Sequence, residues 1–190
     1  MQKLIGRNAI KYTRLKFLGG DKMYLLELAQ PKDASKCYAI IKAAKEFQRE
    51  QGFVQWTDDY PNEFTIRDDI DTNKGYILTV DSDIAGYMCI DFSGEPAYAN
   101  IEGKWNTEMP YAVVHRMAFS ERYRGKGLSS VALTLVENLC LSKGVNCIRV
   151  DTDFQNTRMQ HILEKSGFSK CGVIVFQGSG KLAYDKKFQQ

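Results

Sequence analysis

Residues 111–130, YAVVHRMAFSERYRGKGLSS, bring three features together, the last of which runs on to Leu139. An apolar run of strand character comes first, then two glycines one residue apart, then a helical repeat of Leu128, Val131, Leu135, Val136 and Leu139. A helix N-terminus carries unpaired N–H groups and positive potential. Glycine lets an anion come close to the backbone. Arg122, Arg124 and Lys126 add charge around Gly125 and Gly127. The segment therefore reads as a phosphate-binding turn between a strand and a helix. A solvated turn with incidental basic residues is the plainer alternative.

The rest of the chain sorts into elements around that turn. KMYLLELA (22–29) reads as a strand, and Pro31 and Asp33 start a helix whose apolar positions Cys37, Ile40, Ile41, Ala44 and Phe47 carry it to about Glu50. A short helix is expected after Pro61. GYILTV and IAGYMCIDF form two strands joined at Asp81-Ser82-Asp83, and residues 93–110 form a long loop. CIRVDTD is a strand, NTRMQHILEKSGF a helix ending at Ser166-Gly167, and CGVIVF and KLAYD are closing strands. The order predicts an α/β (mixed α+β) fold with a mixed, mostly antiparallel sheet of six to seven strands and helices on both faces. With 190 residues, a single domain over 1–190 is expected, with 1–20 as a basic N-terminal arm carrying Lys3, Arg7, Lys11, Arg14 and Lys16.

Composition removes several classes. Net charge is +3, which gives no global case for nucleic-acid binding. Five cysteines without a C-x-x-C pair read as reduced thiols of a cytoplasmic protein. Two histidines far apart in sequence argue against zinc, so no metal is expected. No apolar run reaches the length of a membrane helix, and no membrane partner is expected.

A dinucleotide site competes for the glycine loop. GKGLSS departs from G-x-G-x-x-G only at Ser130, and Asp151 falls near the ribose-binding acid's usual place. Against an NAD(P)-binding oxidoreductase stand the loop's late position, its hairpin-like flanks and its basic residues before the glycines.

RYRGKG also resembles the R/Q-x-x-G-x-G/A signature of the GNAT family of N-acetyltransferases, and the preceding strand and the N…LEKSGF helix match that family's spacing. The resemblance implies a GNAT-like domain with acetyl-CoA as co-substrate. It implies that the backbone of Met117, Ala118 and Phe119 pairs with the pantetheine arm. Amides from Arg122, Arg124, Gly125, Lys126, Gly127 and Leu128 hold the pyrophosphate, and Asn156 lies near the thiol end. The reaction implied is acetyl transfer to a small-molecule or peptide amine by direct attack in a ternary complex. A homodimer stays open, as does a non-catalytic acyl-CoA-binding module.

An alkyl ammonium must lose a proton before it attacks, so a base is needed. His115 is the candidate, since histidine ordinarily titrates near neutrality. Some family members carry a histidine at this offset, and others carry a glutamate where this chain has Val113. Strand alternation places His115 on the face of Met117 and Phe119. A buried histidine bonded to backbone is the alternative. The family's tyrosine acid is replaced by Leu163, which leaves Tyr98, Tyr111 and Cys171 as candidate donors. Trp56, Glu95 and Trp105 are candidate acceptor contacts, because aromatics and carboxylates together suit an ammonium. The acids of 58–71 are expected either to rim the acceptor side or to form a solvated helix face.

Overall fold

The structure is a computed structural model that describes residues 12–16 and 22–188. Lys3, Arg7 and Lys11 of the basic arm lie outside the described residues. Their neighbours form β1 (Tyr12–Lys16), which pairs antiparallel with β2 (Met23–Leu28). Then follow α1 (Ala34–Glu50), α2 (Glu63–Asp71), β3 (Gly75–Val80), β4 (Asp83–Asp91), β5 (Glu102–Gly103) and β6 (Ala112–Phe119). The chain continues through α3 (Leu128–Ser142), β7 (Cys147–Thr152), α4 (Thr157–Lys165), β8 (Ser169–Phe176) and β9 (Ser179–Lys187).

Local chemistry sets these boundaries. Asn62 caps α2 by accepting the Thr65 N–H at 2.9 Å, and the Thr65 hydroxyl accepts the Asn62 N–H at 3.3 Å, a reciprocal capping box. At the end of α4, Phe168 N donates to Leu163 O and Gly167 N to Glu164 O, both at 3.0 Å. Gly167 has φ of 84°, as a Schellman stop requires. Leu163 and Phe168 both enter the main core, so the stop is fastened by apolar contact as well. Asp81 and Ser82 sit at φ of 50° and 72°, a tight hairpin turn between β3 and β4.

All the strands join one sheet in the order β1-β2-β3-β4-β6-β7-β9-β8-β5. Among the described residues it has nine strands, wider than the expected six to seven. The arm contributes β1 at one edge, and the 93–110 segment contributes the two-residue β5 at the other. Among the described residues only β6 and β7 run parallel. One face carries α3 and α4 over a core of Leu78, Met88, Ile90, Val114, Leu135 and Ile148. The other carries α1 and α2 over Ile77, Tyr87 and Ala118, with Tyr98 and Val113 in a smaller cluster. Among the described residues no helix is long and apolar enough to cross a membrane.

Two features of the central strands shape the cleft. The parallel ladder between β6 and β7 covers only Ala112↔Ile148 and Val113↔Arg149, and beyond it the strands diverge. On its other side, β6 shifts register against β4 between Tyr87 and Cys89, and Arg116 there adopts φ of 55°. This is a β-bulge, with one extra residue facing β4. It reverses the parity of the strand. Val113 faces the Tyr98 cluster, and His115 lies against the Tyr98 and Phe176 rings on that side. Met117 and Phe119 pack into the opposite core, with Val114. The expected shared face of His115, Met117 and Phe119 is therefore corrected: simple alternation stops at Arg116.

Left-handed backbone at a non-glycine residue costs about 1–3 kcal/mol. A bidentate ion pair offsets it. Arg116 donates Nε–H to Asp69 at 2.9 Å and Nη2–H at 2.6 Å, and Asp69 also accepts the Tyr87 hydroxyl at 2.7 Å. Both charged side chains are largely buried. Removing one partner would strand the other, so Asp69→Ala is expected to destabilise the protein by about 3–5 kcal/mol. Urea denaturation measures this.

Candidate functional site

Two cavities open where β6 and β7 part, and they share Gln48, Trp56, Met117, Asn156 and Met159. They are two arms of one cleft. The larger arm, about 450 Å³, runs along Met117, Ala118 and Phe119 to Arg124, Gly125, Gly127 and Leu128. The smaller, about 260 Å³, runs past His115 and Arg116 toward Tyr60, Asp151, Phe176 and Lys181.

The larger arm is suited to a phosphorylated ligand. Gly125 and Gly127 have φ of 72° and 75°, and a Cβ at either would meet nothing within 4 Å. Glycine is needed there for conformation, and the space beside it is open. No side chain caps the N-terminus of α3, so its first amides face that space. The three loop cations divide. Arg124 lines the cleft, braced by donating to Ala43 O at 2.8 Å and by lying 4.8 Å from the Phe47 ring centroid. Arg122 is turned to Asp83 and Tyr123, and Lys126 lies over Tyr123, so neither side chain lines the cleft. Arg158 and Lys165 of α4 line it instead. These two were not singled out from sequence, although their spacing in a helix that faces the glycine loop is a readable signal.

A polar latch spans the junction. The Gln48 side-chain Oε1 accepts the N–H of Gln55 at 3.2 Å and of Trp56 at 3.1 Å, shaping the α1–α2 loop. Gln55 then accepts from Asn156 Nδ2 at 2.8 Å. Asn156 in turn caps α4 by accepting the Met159 N–H at 3.1 Å.

In the smaller arm His115 sits between two carboxylates. Its Nε2 is 3.5 Å from Glu95 Oε2, and its Nδ1 is 3.7 Å from Asp151 Oδ1. Phe176 stacks on the imidazole with centroids 5.7 Å apart. The His115 contact, helped by the Ala97 amide, holds the Glu95 carboxyl below its ordinary pKa against the opposing effect of burial. The Tyr98 hydroxyl donates to Asp151 Oδ1 at 2.7 Å. Burial first, and the Asp151 charge second, push that phenol well above its ordinary range. For Asp153, burial opposes ionisation but the Lys181 ammonium and the Gln155 amide outweigh it and lower its pKa.

Depressed carboxylates stabilise the folded state at neutral pH, and this contribution disappears as pH falls through and below the ordinary carboxylate range. Thermal unfolding followed from neutral pH into acid should show a falling midpoint, and Asp153→Asn should flatten that fall. An acid limb unchanged by Asp153→Asn would contradict the assignment.

Other candidates lie elsewhere. Tyr111 and Trp105 sandwich Arg149, with its guanidinium carbon 3.9 Å and 4.1 Å from their ring centroids, and neither lines the cleft. Trp105 also donates its indole N–H to Tyr98 O at 3.0 Å. Cys171 bonds near Asn106, away from the cleft, and burial pushes its thiol up to about 11. Leu163 lines the smaller arm and is fully buried. None of the acids of 58–71 lines either arm: Asp58 pairs with Arg49, Glu63 with Arg67 and Asp69 with Arg116. Among the described residues no cluster of three potential metal ligands occurs.

The sequence matches the acetyltransferase (GNAT) family over residues 40–168. No curated protein matches it. Among solved structures, a GNAT-family acetyltransferase from Streptococcus agalactiae 2603 is 32% identical, with a TM-score of 0.79, covering 88% of this chain and 96% of its own. One from Listeria monocytogenes 4b F2365 is 20% identical with a TM-score of 0.73, covering 93% and 100%. The aminoglycoside acetyltransferase AAC(6')-Ib, solved with ribostamycin and coenzyme A, is 17% identical with a TM-score of 0.65, covering 86% and 93%. The last two speak to the fold alone. The diverging β6–β7 pair, the uncapped glycine turn and a family match spanning both lead to one conclusion: this chain belongs to the GNAT family of acetyltransferases.

Proposed function

We propose that this protein transfers an acetyl group from acetyl-CoA to a primary amine by direct attack within a ternary complex. The observation that carries this reading is the meeting of the two arms at Met117 and Asn156, with His115 on the smaller side. One arm suits a phosphorylated, elongated ligand. The other passes beside a base.

The residues fit the co-substrate. Amides from Arg122 to Leu128 would hold its pyrophosphate, with Arg124, Arg158 and Lys165 adding charge. The backbone of Met117, Ala118 and Phe119, which lacks a β7 partner in the ladder, would pair with the pantetheine amides. Asn156 would lie near the thiol end. Acetyl-CoA supplies an activated acyl carbon and a thiolate leaving group. The bulge places backbone at Arg116 and Met117 outside the regular β4 ladder, available to the acetyl oxygen.

His115 takes a proton from the acceptor ammonium, and Glu95 and Asp151 steady the resulting imidazolium. Overall the ammonium gives up two protons as its nitrogen gains the acetyl group. One leaves to solvent through His115 and the other goes to the departing sulfur. Leu163 cannot deliver the latter. Tyr98, held protonated and bonded to Asp151, acts as a positioning residue for that carboxylate rather than as an acid.

Initial rates over a grid of acetyl-CoA and amine concentrations test the order of events. Intersecting double-reciprocal lines are expected. Parallel lines would mean an acetyl-enzyme intermediate and would contradict direct attack.

A further inference from the structure

The smaller arm also carries information about the acceptor, and the following rests on the acetyl-transfer reading above. We propose that the acceptor is a small primary monoamine with an apolar, ring-sized body and no carboxylate or phosphate.

Charge comes first. Two cations line this arm, and both are already matched. Arg116 is bidentate to Asp69 and also donates to the Tyr60 hydroxyl at 2.5 Å. Lys181 is bonded to Asp153 at 2.7 Å, and its side chain is 9% exposed. The carboxylates beside His115 are different. Among the described residues, Glu95 and Asp151 have no cationic partner other than His115 itself. Their bonds are to the Ala97 amide and the Tyr98 hydroxyl. Asp151 in the wall and Glu95 on the imidazole therefore leave surplus negative charge beside the point of reaction, and the cations lining the arm leave no spare positive charge. An ammonium is attracted there. An acceptor carboxylate would be buried without a partner, which is costly.

Shape comes second. At about 260 Å³ the arm lies below the usual range for drug-sized ligands of about 300–1,000 Å³. Beyond His115 its walls include Tyr60 and Phe176, with ring centroids 6.4 Å apart, and Trp56 stands at the junction of the two arms. Such walls reward an apolar, preferably flat body. Asp151 is the one carboxylate among the described residues that line the arm, so a second ammonium would find no further acid there, which disfavours polyamines.

The test compares kcat/KM of the full chain for phenethylamine, phenylalanine, ethanolamine, spermidine and a short peptide with a free N-terminus. Phenethylamine and phenylalanine differ only in the carboxylate, and ethanolamine lacks the ring. Phenethylamine is expected to lead each of the others by about 100-fold. In Asp153→Asn, where Lys181 is released to meet a substrate carboxylate, the gap to phenylalanine should narrow. Phenylalanine within a few-fold of phenethylamine in the wild type would overturn the charge argument, and so would an unchanged gap in Asp153→Asn. Preference for ethanolamine, spermidine or the peptide would overturn the apolar-body argument while leaving amine acetylation intact. Turnover of none of these, with acetyl-CoA binding retained, would overturn the amine-transfer reading and this inference with it.

Discussion

His115→Ala is expected to lower kcat by about 10²–10⁴-fold, the usual contribution of a positioned general base. Acetyl-CoA affinity should be unchanged. The imidazole lines the smaller arm, and its contacts are with Glu95, Asp151, Tyr98 and Phe176 rather than with the glycine turn. Loss of kcat with retained co-substrate binding identifies an interaction used in the reaction rather than in ground-state binding. Raising the pH should partly restore the rate, because a larger fraction of the acceptor is then already deprotonated. A structural histidine would behave differently: its loss would lower the melting temperature, and the rate deficit would not shrink with pH. Full activity in His115→Ala would remove the base from the account.

Gly125→Glu is expected to weaken CoA binding by about 100-fold or more, equivalent to about 2.8 kcal/mol. A Cβ at this position meets no atom within 4 Å, so the chain should still fold. It would place a carboxylate where the pyrophosphate is expected, in the open space before α3. Its φ of 72° adds strain of about 1–2 kcal/mol for a residue with a Cβ. Gly125→Ala isolates that strain: it should lower stability without the large loss of affinity. Thermal unfolding reads both variants. A ligand at about 100 times its Kd adds about 2.7 kcal/mol of stability, and this gain should persist in Gly125→Ala and vanish in Gly125→Glu. A Gly125→Glu protein stabilised by CoA as strongly as the wild type would refute the role given to the turn.

How far the sequence could be read depended on how local the signal was. The α4 stop is written in Ser166-Gly167-Phe168, and the α2 cap in Asn62 and Thr65, because each involves residues three to five apart. The glycine turn was legible for the same reason. The bulge at Arg116 was not. It has no glycine to mark it, and its compensating partner Asp69 lies 47 positions upstream. One hidden residue was enough to put His115 on the wrong side of the strand. The latch from Gln48 through Gln55 to Asn156 spans about half the chain, with Gln55 and Asn156 separated by 101 positions.

Charge at the cleft was only partly legible for a related reason. The acids of 58–71 could be read as a rim or as a solvated helix face, and Asp58, Glu63 and Asp69 are tied to Arg49, Arg67 and Arg116. Glu95 and Asp151, 56 residues apart in sequence, are brought together only by His115 between them. Composition showed acids and bases in near balance. It could not show which of them remain unpaired at the site. Likewise Tyr111 and Trp105, attractive as cleft aromatics, are recruited to flank the buried Arg149 guanidinium.

Under the proposed function, co-substrate and acceptor meet where β6 and β7 part. A crystal structure of the complex with CoA tests it most directly. The pyrophosphate is expected against the amides of Gly125 to Leu128, the pantetheine arm along Met117 to Phe119, and the sulfur between Met117 and Asn156 on the side that opens toward His115. A CoA molecule whose pyrophosphate lies away from the glycine turn, or whose sulfur ends outside the junction of the two arms, would contradict it.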